Sequence, residues 1–229
     1  MNAVSKELRR VARPEKVKIL SRFFKTGKGE YGEGDQFIGV VVPDARLVSQ
    51  KFISLSLNEI EQVLSSNIHE ERLVGLLILV EKYKQAQNKK EIVDFYLAHT
   101  SAVNNWDLVD LTADKILGTY LLDKNRSVLY RLAKSKNLWE RRIAIIATFE
   151  FIRHHQFEDT FAITELLMND HHDLIHKALG WMLREAGKRD QLEEEKFLKK
   201  HYQKMPRTTL RYAIERFDDE KRRFYLNKP

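Results

Sequence analysis

The sequence predicts an all-α protein, built as an α-solenoid of HEAT-like helix pairs with a concave, basic face. Three observations support this class: turn-forming residues are scarce, apolar residues recur at helical spacing, and one helical pattern returns at a nearly constant interval. Only four prolines and nine glycines occur among the 229 residues. Runs such as ERLVGLLIL and IAIIATFEFI place apolar side chains three or four positions apart, as on one face of a helix.

The N-terminal part, residues 1–60, is predicted to hold helices and one long loop. Five of the nine glycines lie between positions 27 and 39, so KTGKGEYGEGDQFIGV is interpreted as that loop. Its tail, FIGVVV, has β character. It has no partner strand, so we expect an extended and packed segment. A helix is predicted to start at Pro43, because proline suits the first helical position and Asp44 suits the first turn.

Residues 61–229 are predicted to repeat one helix pair. The matching segments begin at Glu71, Trp106, Glu140, Leu174 and Leu210. These starts are 35, 34, 34 and 36 residues apart, and another amphipathic helix lies between them. Such an interval is typical of slightly shortened HEAT or armadillo repeats, and the tetratricopeptide pattern is absent. We therefore expect one repeat domain over residues 1–229, whose concave side is the binding surface.

The charge suggests an anionic partner. Lysine and arginine outnumber aspartate and glutamate by seven, although many basic proteins bind no nucleic acid. No apolar run is long enough for a membrane span and no secretory signal is visible, so we predict a cytoplasmic, nucleoid-associated protein. The basic runs KFLKKHYQK and DEKRRF are interpreted as solvated helix faces. No oligomer signal is found, and a monomer is the default expectation.

The residue types argue against a metal or redox site. The chain has no cysteine, which excludes thiolate nucleophiles, disulfides and Cys-type zinc sites. Among the eight histidines, only His172 and His176 have the spacing of a helical metal pair, and no HExxH pattern surrounds them. We interpret them as solvated, helix-terminal residues and expect neither a metal nor a cofactor.

One repeat differs from its siblings in the stretch NNWDLVDLTADKILG, which is interpreted as one amphipathic helix. Trp106 and Asp110 share a helix face, and Asp110 occupies a position that the other repeats fill with small or apolar residues. Asp107 is interpreted as a first-turn partner of the helix dipole. Neighbouring polar positions form a basic edge. They are occupied by Arg141, Arg142, His176, Lys177 and Arg211.

Together, WDxVD, LWxxR and KAxGWxLRE resemble the motifs of the DNA alkylation repair family, the AlkD-like HEAT-repeat DNA glycosylases. The likeness covers most of the chain and is loose after about residue 190. It implies a base excision repair hydrolase that cleaves the N-glycosidic bond of cationic N3- or N7-alkylated purines in double-stranded DNA. It also implies that the base is not flipped into a deep pocket. The expected class is therefore a monofunctional alkylpurine glycosylase without a cofactor.

The resemblance also implies site residues. It carries the lesion-facing roles to Trp106, Asp110 and Trp181, and a DNA-contacting role to Arg142. Asn105 stands where the family often has a second tryptophan, and Phe23 stands where an N-terminal tyrosine is common. These departures bear on lesion preference more than on the reaction. The predicted DNA-contacting set is completed by Arg141, Lys177, Arg184, Arg211 and Phe23.

Each of these residues also has a possible structural role. Either tryptophan can serve as a packing residue, Asp110 as a helix cap or local ion-pair partner, and Arg142 as a solvated surface residue. Two alternative functions also stand against the glycosylase. One is a catalytically inactive HEAT-repeat protein that binds damaged or branched DNA. The other is a protein-binding scaffold, which would not need an acid beside two indoles.

Overall fold

The computed structural model describes residues 2–227, and their secondary structure is helical apart from turns, loops and one isolated β-bridge between Gln36 and Ile68. The all-α class is therefore confirmed. The chain divides into two compact units, Met1–Thr112 and Ala113–Pro229, which we call unit 1 and unit 2. In repeat folds each helix pair contacts mainly its neighbours, so this division leaves the single repeat domain as a prediction.

Unit 1 is organised around one long, buried helix. Its helices are α1 (Ala3–Val11), α2 (Pro14–Phe23), α3 (Val42–Gln50), α4 (Leu57–Leu64), α5 (His69–Gln85), α6 (Lys89–Ala98) and α7 (Trp106–Asp110), with a short 3-10 helix at Thr100–Ala102. Helix α5 packs against α1, α3, α4 and α6. Its apolar residues Val74, Ile78 and Leu79 are fully buried, so α5 forms the core to which the other helices attach.

Unit 2 consists of successive helix pairs. It contains a π-helix at Asp114–Gly118, then α8 (Thr119–Leu121), α9 (Ser127–Ala133), α10 (Leu138–Arg153), α11 (Glu158–Leu167), α12 (Asp173–Gly187), α13 (Gln191–His201), α14 (Arg207–Ala213), a 3-10 helix at Ile214–Arg216 and α15 (Asp219–Leu226). Helix α10 packs on α9, α11 and α12, and α12 packs on α13 and α14. The second helices of the predicted repeats are therefore α10, α12 and α14.

The N-terminal predictions agree with the structure. Residues 37–41 lie outside any named strand and are extended, with Phe37 and Val40 buried. Helix α3 starts one residue before the predicted Pro43, and proline occupies its first turn. Within the described residues 2–227, no helix is both long and apolar enough to cross a membrane.

One local prediction is wrong. The stretch from Trp106 to Gly118 is not one continuous helix, because α7 ends at Asp110 and a turn at Leu111 and Thr112 precedes the π-helix. The Thr112 hydroxyl donates to the Leu108 carbonyl at 2.6 Å and lies 3.0 Å from the Tyr96 hydroxyl. These tertiary and side-chain hydrogen bonds compete with regular helix continuation, which the local apolar pattern does not reveal.

Candidate active site

Helix α7 presents an indole and a carboxylate on one face. Asn105 is fully buried and caps the helix, its side-chain oxygen accepting a hydrogen bond from the Trp106 N–H at 2.9 Å. Leu108 and Val109 are fully buried and fix the opposite face against the core. Trp106 and Asp110 are half-buried, four residues apart, and therefore point to the same side.

That side opens into a cavity of about 420 Å³ in unit 1, whose walls are mostly aromatic and aliphatic. Phe23, Trp106 and Asp110 all line it. The Trp106 ring stacks on Phe24 with centroids 5.2 Å apart and receives the edge of Phe23 at 5.7 Å. Phe24 in turn stacks on Phe37 at 5.1 Å. The cavity is thus an apolar recess with π faces and one half-buried carboxylate.

Another wall of the cavity is formed by segment 37–41, and the backbone of this segment is bound by a single buried carboxylate. Glu70 of α5 accepts hydrogen bonds from the backbone N–H groups of Ile38, Gly39 and Val40 at 2.9 to 3.2 Å. Gly39 has a φ of +92°, and a Cβ there would lie 2.0 Å from the Arg13 carbonyl oxygen. Only glycine fits this position, because the positive φ and the close approach to Arg13 both exclude a side chain.

Beneath the aromatic wall lies a buried histidine between two carboxylates. His69 Nδ1 is 3.0 Å from an oxygen of Asp35, and Nε2 is 2.9 Å from an oxygen of Asp107. Burial alone would lower the pKa of His69, but Asp107 and Asp35 outweigh it and raise that pKa to about 9. The ring is therefore a charged imidazolium that donates to both carboxylates, and it stacks on Phe37 at 4.6 Å.

This ion network continues away from the cavity. The Arg72 guanidinium donates to Asp35 at 2.6 Å and to the Asn104 side chain at 2.9 Å. Burial would raise the pKa of Asp35, but His69 and Arg72 hold it below its ordinary value. We call His69, Asp35, Asp107, Arg72 and Asn104 the His69 network. It joins the glycine-rich loop, α5 and the start of α7.

The His69 network supplies residues that the sequence did not reveal. Asp107 lies in the first turn of α7, where a carboxylate suits the helix dipole, and its side chain is also buried and paired with His69. Its second oxygen, Oδ1, and the Asn105 Nδ2 are buried without a hydrogen-bond partner among the described residues. A buried carboxylate in the residue after Trp106 fixes the first turn of α7, and with it the orientation of the indole.

The predicted residues of unit 2 occupy its second helices. Arg142 of α10 is buried, and its guanidinium donates to the Leu174 carbonyl at 2.5 Å. Trp181 of α12 is half-buried, donates from Nε1 to Glu185 at 3.3 Å and lies 5.8 Å from the Phe149 ring. A phosphate contact by Arg142 stays a prediction, and the structure shows that this guanidinium is anchored to backbone.

The other predicted basic residues differ in how far they are already paired. Arg141 donates to Asp170 at 2.6 Å and to two backbone carbonyls, and Lys177 pairs with Asp173 at 2.8 Å. Arg184 pairs with Glu215. Arg211 is exposed and has no ion-pair or hydrogen-bond partner within residues 2–227. Arg211 is therefore the predicted DNA-contacting arginine best placed to receive an external anion.

The two histidines considered as a metal pair have local roles. His172 caps α12 by accepting a hydrogen bond from the Leu174 N–H at 3.1 Å, and His176 lies 2.6 Å from the Asp170 carbonyl oxygen. His172 is half-buried and not fully solvated, and burial lowers its pKa. In the described part of the chain, no group of three His, Cys, Asp or Glu side chains is arranged to hold a metal ion.

Comparison with known proteins identifies a family and similar solved structures. A family model described as "DNA alkylation repair enzyme" matches residues 4–217. The fold is similar to a solved structure described as a "predicted DNA alkylation repair enzyme from Enterococcus faecalis", with a TM-score of 0.72 and 16% sequence identity. That alignment covers 91% of this chain and 97% of the other. No curated protein matches the sequence.

Proposed function

The chain belongs to the DNA alkylation repair enzyme family, and from that premise we propose that it is a monofunctional DNA glycosylase. Its proposed substrates are cationic N3- or N7-alkylated purines in duplex DNA, and its proposed reaction is hydrolysis of their N-glycosidic bond. The observation that carries this proposal is the position of Asp110. Its half-buried carboxylate lies on the same face as Trp106 and lines the aromatic cavity with it.

The chemistry needs a carboxylate in such surroundings. An alkylated purine already carries positive charge and is a good leaving group, and breaking its bond builds oxocarbenium character on the deoxyribose. A fixed carboxylate near C1′ stabilises that charge and can orient or deprotonate the attacking water. Partial burial strengthens the electrostatic attraction, because less solvent screens it. Asp110 is the residue proposed for this role.

The indole is proposed to select for charge. The face of an aromatic ring attracts cations, by about 0.5 to 2 kcal/mol per contact. Trp106 is held in place by stacking on Phe24, so its orientation is set before a substrate arrives. We propose that Trp106 contacts the damaged nucleotide, and the lesion-facing role of Trp181 stays a separate prediction for unit 2. The Trp106 contact would favour a charged lesion over a neutral base.

The cavity walls support a choice of substrate that depends on how easily the N-glycosidic bond breaks. They do not support recognition of the edge of the base. The polar residues that line the cavity beside Asp110 are His69, Glu70 and Asp107, and each is engaged within the protein. Apart from the indole N–H of Trp106, the remaining walls are apolar and have no side-chain donors or acceptors for the edge of a base. We therefore propose that the enzyme does not flip the base deeply and acts on bonds that alkylation has already weakened.

Base release from duplex DNA containing N7-methylguanine tests this proposal. Asp110→Asn keeps the size of the side chain and removes its charge, so we expect the rate to fall about 100- to 1,000-fold with duplex binding retained. The matched control is Asp94→Asn on α6, whose exposed carboxylate pairs only with Lys90, and its rate should equal that of wild type. Neither uracil nor neutral ethenoadenine should be released.

The outcomes separate the alternatives. A wild-type protein that binds the damaged duplex but releases no base would be a catalytically inactive DNA-binding member of the family. A protein that neither binds nor cleaves DNA would favour the scaffold alternative. Equal release by wild type and Asp110→Asn would keep the glycosylase and remove Asp110 from its proposed role.

A further inference from the structure

Unit 2 contains a second cavity, of about 520 Å³, near the C-terminal end of the described chain. Its lining includes four cationic side chains: Lys177 of α12, Arg207 and Arg211 of α14, and Arg222 of α15. We call it the basic cavity. Thr208 and Tyr212 add hydroxyl groups, and Glu215 is the one carboxylate in the lining.

The charge of the basic cavity is only weakly compensated. Glu215 already pairs with Arg184, which does not line the cavity. Lys177 pairs with Asp173, whose side chain is 56% exposed, and the contact between Arg222 and Asp219 is long, at 3.9 Å. Arg211 has no partner within the described residues. Clustered like charges repel one another, so this arrangement favours an external anion.

The cavity is built by close helix packing. Helix α12 approaches α14 at Gly180, where a Cβ would lie 2.4 Å from the Tyr212 Cβ and 2.5 Å from the Thr209 carbonyl oxygen. This approach brings Lys177 beside the face of α14 that carries Arg207 and Arg211. The Arg207 guanidinium donates to the Leu226 carbonyl of α15 at 2.8 Å, which orients it and closes one wall.

Part of this site lies beyond the family match. The family model ends at residue 217, and α15 begins at Asp219, so Arg222 and the Leu226 carbonyl come from a segment outside it. The sequence run DEKRRF alone predicts a solvated helix face. The structure turns Arg222 of that run toward the cations of α12 and α14.

We propose that the basic cavity binds a phosphate group of the DNA backbone and anchors the duplex to unit 2. Arginine forks match phosphate oxygens, and the Tyr212 hydroxyl can add a hydrogen bond, whereas the Thr208 hydroxyl already donates to Asp173 at 3.0 Å. The inference rests on the proposed function only in taking DNA as the ligand. It adds a phosphate site formed jointly by α12, α14 and α15, with Arg207 and Arg222 as residues that the sequence motifs did not include.

The test is equilibrium binding of a fluorescein-labelled, undamaged duplex, measured at several salt concentrations. Arg211→Ala should weaken binding about tenfold at moderate salt, because a charge-assisted hydrogen bond is lost. It should also reduce the slope of log K against log salt by about one. Arg222→Ala should shift both quantities in the same direction. The control is Arg216→Ala, an exposed arginine of unit 2 that does not line the cavity.

Two results would overturn the proposal. One is an unchanged salt slope in Arg211→Ala, or a change equal to that of Arg216→Ala, since either means that the cavity is not a phosphate contact. The other is calorimetric binding of inorganic phosphate that Arg211→Ala abolishes while duplex affinity is unchanged, since the cavity would then serve a small phosphate compound. Undamaged DNA needs no base release, so failure of the glycosylase proposal is visible separately in the Asp110→Asn assay.

Discussion

The two cavities are similar in volume and opposite in chemistry. The cavity of unit 1, about 420 Å³, has aromatic walls and a half-buried carboxylate, whereas the basic cavity of unit 2, about 520 Å³, is lined by four cations. The first is held by buried charges, because His69 lies between two carboxylates beneath its aromatic wall. The second is formed by side chains that reach into solvent.

If both proposals hold, this chain separates recognition from chemistry. Stabilising a developing positive charge needs a fixed carboxylate and π faces shielded from water, so the groups around it must be rigid. Holding a phosphate needs positive charge that acts through solvent and tolerates movement, so exposed arginines are sufficient. We therefore expect substitutions beneath the first cavity to change stability, and substitutions in the second to change binding without changing stability.

The largest effect on stability should come from His69→Leu. Leucine is close to histidine in size, but it leaves Asp35 and Asp107 buried without their shared cation. Breaking a buried ion pair by removing one partner costs about 3 to 5 kcal/mol, and we expect a loss in that range by urea denaturation. The matched control is His99→Leu in the same unit, which removes a partly exposed pair with Glu61 and should cost less than about 1 kcal/mol.

Arg211→Ala completes this comparison between the cavities. An exposed arginine without a partner should change the free energy of unfolding by no more than about 0.5 kcal/mol. If His69→Leu and His99→Leu cost the same, the His69 network is not what holds the first cavity. If Arg211→Ala destabilises as much as His69→Leu, the contrast between a rigid and a solvent-held cavity is wrong.

The helical architecture was predictable from the sequence because its signal is local. Apolar spacing of three or four residues places the starts of α5, α7, α10, α12 and α14 to within three residues, and the glycine-rich loop is marked by its composition. The pairing of Trp106 with Asp110 on one face follows from the same helical geometry. The turn after Asp110 was missed, because it depends on hydrogen bonds of Thr112 within the folded unit.

The parts of the site that the sequence did not reveal depend on distant residues. His69 is 34 positions from Asp35 and 38 from Asp107, and each of these residues alone is an ordinary polar residue near a helix start. The basic cavity likewise combines Lys177 with Arg222, which belong to different helices. A run such as DEKRRF carries no local sign of which arginine faces a neighbouring helix.

The next effect is the pH dependence of stability. The pKa of His69 rises from an ordinary 6.5 to about 9 in the folded chain, so its stabilisation is complete below pH 6.5 and is lost as pH rises through 9. We expect the His69 contribution to fall by about 3 kcal/mol over this range. Titration of the His69 ring protons by NMR should show a midpoint near pH 9, assigned by loss of the signal in His69→Gln. A midpoint near 6.5 would show that the two carboxylates do not hold the charge.

The smallest effect concerns a buried acid in unit 2 that lacks such partners. Glu194 of α13 is 1% exposed, and its Oε1 has no hydrogen-bond partner among the described residues. Burial and the neighbouring Glu195 raise its pKa to about 9, although Arg184 opposes the shift. Folding therefore forces a proton onto Glu194 at neutral pH. This linked stability is present below the unfolded pKa of 4.5 and is lost as pH rises through 9.

Glu194→Gln should consequently stabilise the protein at pH 8. The amide never ionises, so folding no longer carries the free-energy cost of protonating this side chain. The amide must still bury polar atoms, and we therefore expect a net gain in the free energy of unfolding of about 2 kcal/mol. Glu193→Gln is the matched control, because the Glu193 side chain is 40% exposed and pairs with Lys196. The gain should shrink as the pH falls below the unfolded pKa of 4.5, where Glu194 is protonated in most unfolded chains as well as in folded ones. A gain that is constant with pH would mean that burial does not shift Glu194. The contrast between a paired buried ion in unit 1 and a buried carboxyl group without a cationic partner in unit 2 would then fail.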